Sequence, residues 1–178
     1  MIRHLALAIS AIVLGSCADL PSAPAVSYKD GEMPVPAGYQ NWPRFLVNVQ
    51  RPDAKQVRDI YVNTIGAAVQ KGRAFADGTV FVMENYAARE NPDGTLMTGA
   101  DGKLVKGNLL RVFLMGKGRG WGASAPEGLA NGDWVYASYG ADGKPAADVT
   151  LTCRACHIPY ARFDFVHRYD EYFEQRGK

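Results

Sequence analysis

Cys153, Cys156 and His157 are the residues of this 178-residue chain whose types and spacing carry the most chemistry. Positions three and four apart share one face of a helical turn, so two thiols and an imidazole can be presented together to one flat ring system. C-x-x-C-H is the spacing that attaches a c-type haem. The thiols would form thioethers with the vinyl groups. An imidazole with a reference pKa of about 6.5 is largely neutral at pH 7 and has a lone pair to give a metal. His157 is therefore the expected axial ligand of one covalent haem c per chain. Pro159 disfavours helical geometry at the residue before it, which predicts that the attachment helix stops near Ile158. Two other chemistries use such cysteines. A dithiol redox centre expects a βαβ setting and leaves His157 without a task. A structural zinc site wants four ligands, and Cys153, Cys156, His157 and His167 are crowded around Pro159.

The other end of the chain points to where this chemistry takes place. Arg3 and His4 precede an apolar run at 5–14, too short to span a bilayer but suited to a secretory signal. Leu14-Gly15-Ser16-Cys17 resembles a bacterial lipobox, which predicts a signal at 1–16 and acylation of Cys17; ordinary cleavage nearby would leave Cys17 an incidental thiol. Ala18, rather than aspartate, follows that cysteine, so the expected location is the periplasmic side of a bacterial membrane, as an outer-membrane lipoprotein. Lipid on Cys17 and haem on Cys153 and Cys156 use every cysteine, leaving none for a disulfide. Residues 17–38, rich in Pro, Ser, Ala and Gly, read as a flexible tether, and 39–178 as a single domain.

A formal net charge of +2, or +1 once Arg3 is removed with the signal, does not suggest a nucleic-acid partner. Strand signals recur at 55–62, 79–86, 109–115 and 134–139, separated by Asp-Gly and Asn-Pro turns. They predict an α+β fold: an antiparallel sheet of about four or five strands with short helices, the haem packed against it. Asn63 is a good N-cap for a short helix through Val69 that ends at Gly72. Residues 164–175 read as a helix with Phe165, Val166, Tyr169, Tyr172 and Phe173 inward and His167 outward, among carboxylates.

Four features together resemble the cytochrome P-460 family, whose relatives include cytochrome c′-beta. They are Asp77-Gly78-Thr79-Val80-Phe81-Val82-Met83-Glu84, the earlier Arg58-Asp59-Ile60-Tyr61, the Trp134-centred strand, and the late Cys-Arg-Ala-Cys-His followed by an aromatic helix. The resemblance runs from about Pro36 to Tyr172. It implies a β-rich, commonly homodimeric protein with a five-coordinate haem, histidine on one side and an open ligand site on the other. Members bind nitric oxide, and the name-giving ones oxidise hydroxylamine.

The resemblance also marks two departures. In hydroxylamine-oxidising members the residue before the strand's glutamate is a lysine crosslinked to the haem; here it is Met83, whose thioether offers no amine nucleophile. Their distal carboxylate aligns within Met115-Gly116-Lys117-Gly118-Arg119-Gly120-Trp121-Gly122, with glycine at the acidic position. Strand alternation puts Thr79, Phe81 and Met83 on one face, so Phe81 and Met83 would form an apolar wall beside the haem. Three functions follow as expectations. One is binding of nitric oxide or a related small nitrogen species. Another is oxidoreduction of hydroxylamine, nitric oxide or peroxide, assisted by Arg58, Arg119 or Tyr136. The last is electron transfer to an unknown redox partner, with Met83, Met97 or Met115 as sixth ligand.

Overall fold

The computed structural model describes residues 26–146 and 150–177, so the segment read as a signal at 1–16 and Cys17 lie outside the described residues. Five strands, β1 (Arg44–Arg51), β2 (Gln56–Val62), β3 (Val80–Ala88), β4 (Lys106–Lys117) and β5 (Trp134–Gly140), form one antiparallel sheet in chain order. Three short helices accompany it: α1 (Thr64–Ala67), α2 (Thr150–His157) and α3 (Tyr169–Arg176). None of the helices among the described residues is long and apolar enough to cross a membrane. Four strands lie where β-branched and aromatic runs predicted them. The edge strand β1 was not expected. Its register slips between Leu46 and Val49, Asn48 is left-handed at φ 55°, and Phe45 and Leu46 are both buried in succession. A bulge of this kind erases the period of two by which a half-buried strand is read.

Alternation along the strands gives the sheet two unlike faces. One carries Val62, Phe81, Met115, Trp134 and Tyr136, packed with Phe45, Phe75, Val166, Tyr169 and Tyr172. Registers are continuous across it: Val62 opposes Phe81, Phe81 opposes Met115, and Met115 opposes Tyr136. The other carries Tyr61, Val82, Val112, Leu114, Ala137 and Tyr139, covered by Met33 and Tyr39. Within this second core Glu84 is only 6% exposed. Its carboxylate accepts hydrogen bonds from the hydroxyls of Tyr39 at 2.8 Å, Tyr61 at 3.0 Å and Tyr86 at 2.7 Å. Three phenol donors replace the water a carboxylate loses on burial. Burial first, then the bond to Glu84, pushes Tyr61 up to about 12 and raises Tyr39 and Tyr86 likewise.

The connections refine the sequence reading. Asn63 caps α1 as expected, its side chain accepting from Gly66 N at 3.0 Å, but the α-helix ends at Ala67. The helix expected over 164–175 begins only at Tyr169, because Asp164, Phe165 and Arg168 are left-handed, at φ 55°, 63° and 60°. Val166, Tyr169 and Tyr172 still face the core as the wheel predicted. Of the segment read as tether, residues 26–38 are described and part of it packs on the sheet. Met33 is buried, Gly31 N donates to the Tyr136 carbonyl at 2.7 Å, and the Tyr139 hydroxyl donates to the Met33 carbonyl at 2.8 Å.

Replacing Glu84 by alanine strands three partly or fully buried hydroxyls and should cost about 3 kcal/mol or more, whereas Tyr39→Phe should cost about 1 kcal/mol, both read from urea unfolding. The three raised phenols also set a sign. The unfolded chain gives up its tyrosine protons first, so stability is intact below the ordinary tyrosine value and falls as pH rises through it. A Tyr39→Phe/Tyr61→Phe chain should show a shallower alkaline decline in unfolding midpoint; an equal slope would contradict the network.

Candidate functional site

Helix α2 carries Cys153, Cys156 and His157 on one turn, and all three line a cavity of about 360 Å³ between that helix and the first face of the sheet. Its sheet wall is apolar, made by Ile60, Phe81, Met83, Phe113 and Met115. Cross-strand pairs Ile60–Met83 and Met83–Phe113 set one row of that wall, and Phe81–Met115 the next. The expected wall of Phe81 and Met83 is therefore present and wider than the D-G-T-V strand alone revealed. Arg58 and Tyr136 also line the cavity, while Arg119 and Met97 do not. Arg119 is exposed, its guanidinium 3.8 Å from Asp77. Within the stretch 115–122 only Met115 reaches the cavity. A Cβ on Gly118 would fall 2.2 Å from the Trp121 ring, and one on Gly122 only 1.8 Å from the Gly132 carbonyl oxygen. Close approach of ring and backbone thus requires glycine at both positions.

What holds α2 in place is Arg154, inside the C-x-x-C pair and fully buried. Its Nε donates to Asp30 Oδ2 at 2.6 Å and its Nη2 to Asp30 Oδ1 at 3.0 Å, the two-pronged geometry a guanidinium offers a carboxylate. Its remaining donors reach the Leu129 carbonyl at 3.3 Å, Asn131 Oδ1 at 3.4 Å and the Trp134 carbonyl at 3.1 Å. Asn131 returns a bond from Nδ2 to the Arg154 carbonyl at 3.3 Å. The guanidinium therefore faces the start of β5 and the amino-terminal segment, while Cys153, one residue before it, and Cys156, two residues after it, face the cavity.

His157 is oriented just as closely. Its Nδ1 lies 2.6 Å from the Phe165 carbonyl oxygen. A carbonyl only accepts, so Nδ1 carries the proton and Nε2 keeps the lone pair. Burial lowers the proton affinity of the ring, which holds it neutral. The left-handed pair Asp164–Phe165 turns that carbonyl toward the ring. Asp164 is itself fixed by Lys117 Nζ at 2.8 Å and 3.0 Å and by Phe75 N at 2.8 Å. As predicted, α2 ends at His157 next to Pro159, although the chain continues as a 3₁₀ turn, Ile158–Phe163. His167 corrects the helical-wheel reading: with α3 starting later, it is half-buried, lines the cavity, and its ring centre lies 4.3 Å from that of Tyr160. Burial, then the neighbouring His157 and Arg168, lowers its proton affinity.

The donor set suits a haem. Two thiols and an imidazole stand on one turn beside an apolar wall. Among the described residues, the ionisable side chains lining the cavity from other elements are Arg51, Arg58, Arg111, Tyr136, His167 and Arg168, with no carboxylate among them. Such a lining matches an apolar ring bearing acidic substituents. Two buried polar atoms of the lining, Arg58 Nε and the Tyr136 hydroxyl, have no hydrogen-bond partner. Arg154, Asp30, Lys117, Asp164 and Arg111 were not marked by the sequence, which shows charged residues but not which partners burial will give them.

A family model, Cytochrome P460, matches residues 36–168. No curated protein matches the chain.

Arg154→Ala should destabilise the chain by about 3 kcal/mol, since it leaves Asp30 and three buried backbone and side-chain acceptors without their donor. Arg154→Lys should recover only part of this, because an ammonium lacks the fork. Urea unfolding of the three chains in parallel checks both, and equal midpoints for wild type and Arg154→Ala would contradict the docking assigned to this residue.

Proposed function

Because the chain belongs to the cytochrome P460 family, we propose that it is a mono-haem c-type cytochrome whose ligand site serves nitric oxide or a related small nitrogen species. The observation that carries this reading is the pairing, in one cavity, of an oriented neutral imidazole with a sheet wall of Ile60, Phe81, Met83, Phe113 and Met115. Cys153 and Cys156 would hold the group by thioethers and His157 would ligate its iron through Nε2. When bound, haem supplies an iron that takes up small nitrogen oxides and exchanges electrons with them.

The chain's own residues do the rest. The Phe165 carbonyl holds the Nδ1 proton, which fixes the tautomer and raises the basicity of Nε2. Apolar side chains along the wall exclude water and suit a neutral diatomic, while Arg58, Tyr136 and His167 are the groups of the same cavity that a proton transfer would have to use. Met83, at the position the resemblance assigns to the crosslinking lysine, brings no amine to the cavity, which argues against hydroxylamine oxidation. The reading retains an acylated Cys17, a periplasmic location and a homodimer as parts of the same proposal.

A second reading has its own observation. Met83 and Met115 both line the cavity, and either thioether as sixth ligand would make the protein an electron carrier with a raised potential.

Expression in cells equipped for cytochrome c maturation should give pigment that acidified acetone does not extract, with a high-spin ferric spectrum and a ferrous form that binds nitric oxide. Cys156→Ala should weaken retention, and His157→Ala should change the spectrum while leaving attachment possible. A low-spin spectrum that turns high-spin in Met83→Leu or Met115→Leu would replace the first reading by the second. Colourless protein would refute both.

A further inference from the structure

The cavity's charge is segregated in a way that haem attachment by Cys153, Cys156 and His157 does not use. Of its four arginines, Arg51 is paired with Asp53 at 2.8 Å and Arg168 with Glu171 at 2.6 Å. Arg58 and Arg111 have no carboxylate within ion-pair distance among the described residues. These two belong to one row of the sheet. Arg58 on β2 opposes Asn85 on β3, and Asn85 opposes Arg111 on β4, one register step beyond the apolar row Ile60–Met83–Phe113. With neighbouring strands about 4.8 Å apart, the two arginine backbones stand about 10 Å from each other with the asparagine between them.

Two members of this row have a buried polar atom without a partner, and the Arg111 guanidinium lies over the Phe113 ring, 5.7 Å from its centre. Arg58 Nε is buried without a partner, although its Nη2 donates to Gln56 Oε1 at 2.9 Å. Asn85 is only 5% exposed and its Oδ1 has none. Burial is the largest influence on Arg58 and lowers its proton affinity. A guanidinium so placed is costly alone and is relieved by a planar two-oxygen anion that matches its fork.

We propose that Arg58 and Arg111, which line the cavity on either side of Asn85 in the sheet, form an oxyanion-binding site on its wall. Its ligand class is a planar oxyanion with two accessible oxygens. Two sources of that chemistry fit: the carboxylates of the prosthetic group itself, or a free small oxyanion such as nitrite. The site deepens the haem reading above and rests on it for the first source only.

The test uses the holoprotein, with haem content and far-UV circular dichroism matched between chains. Nitrite binding to the ferric form is followed by calorimetry in wild type, Arg58→Leu, Arg111→Leu and the charge-keeping Arg58→Lys. Carbon monoxide binding to the ferrous form is the neutral control. A free-oxyanion site predicts that each leucine variant weakens nitrite about tenfold, with Arg58→Lys intermediate and carbon monoxide within about twofold of wild type. If the prosthetic carboxylates occupy the site, nitrite affinity stays the same. The reduction potential, nearly flat with pH in wild type, then acquires a pH-dependent segment in the leucine variants, as carboxylates without their cation titrate at higher pH. Wild-type nitrite affinity together with a wild-type potential-pH curve in an Arg58→Leu/Arg111→Leu chain overturns the proposal. Colourless protein would sink the haem reading alone; nitrite calorimetry on that chain would then decide for or against this site.

Discussion

The buried pair of Arg154 and Asp30 is the constraint on which the site is built. A guanidinium with no exposed surface tolerates few alternatives to its carboxylate, because each donor left unmatched in a low dielectric carries the full cost of desolvation. Asp30 also accepts from Tyr136 N at 3.0 Å, so one carboxylate joins α2 to β5. The pair therefore fixes both the distance of α2 from the sheet and its rotation about its own axis. Rotation matters most. Arg154 stands between Cys153 and Ala155, and turning it inward toward the sheet's end is what turns Cys153, Cys156 and His157 toward the cavity.

A second link sets the imidazole. Lys117 at the end of β4 holds Asp164, the left-handed backbone at Asp164 and Phe165 aims a carbonyl, and the carbonyl holds Nδ1 of His157. Positive φ at a bulky residue such as Phe165 is strained, and it persists where surrounding contacts over-determine it. Here those contacts are the Lys117–Asp164 pair and the bond from Phe165 N to the Tyr160 carbonyl at 2.9 Å. Sheet and helix are thus coupled through the orientation of His157, and a change at Lys117 would be felt at an imidazole it does not touch.

The sheet keeps its two chemistries apart by the alternation of single residues. Met83 faces the cavity and Glu84, its neighbour, faces a cage of three tyrosine hydroxyls in the opposite core. Asp59 is likewise turned away, paired with Lys106 and Arg44, while Arg58 lines the cavity. The carboxylates of β2 and β3, Asp59 and Glu84, are in this way directed to one side and their one guanidinium, that of Arg58, to the other. A one-residue slip of β3 would exchange them, placing a carboxylate in the apolar wall. The paired tyrosines therefore stabilise the register as much as the carboxylate.

By itself the sequence determined whatever is local. The C-x-x-C-H spacing placed two thiols and an imidazole on one turn, Pro159 ended its α-helix, Asn63 capped α1, and alternation put Phe81 and Met83 on one face. Those signals act within a few residues, where backbone geometry alone relates one side chain to the next. Only the tertiary structure decided the rest: that β1 is a strand despite its bulge, that His167 lines the cavity, and that Asp30 meets Arg154. It also decided that Arg58, Asn85 and Arg111 share a row. Each of these depends on strand register or on burial between segments far apart in the chain. A charged residue's sequence neighbours do not say which distant carboxylate, carbonyl or hydroxyl will replace its water.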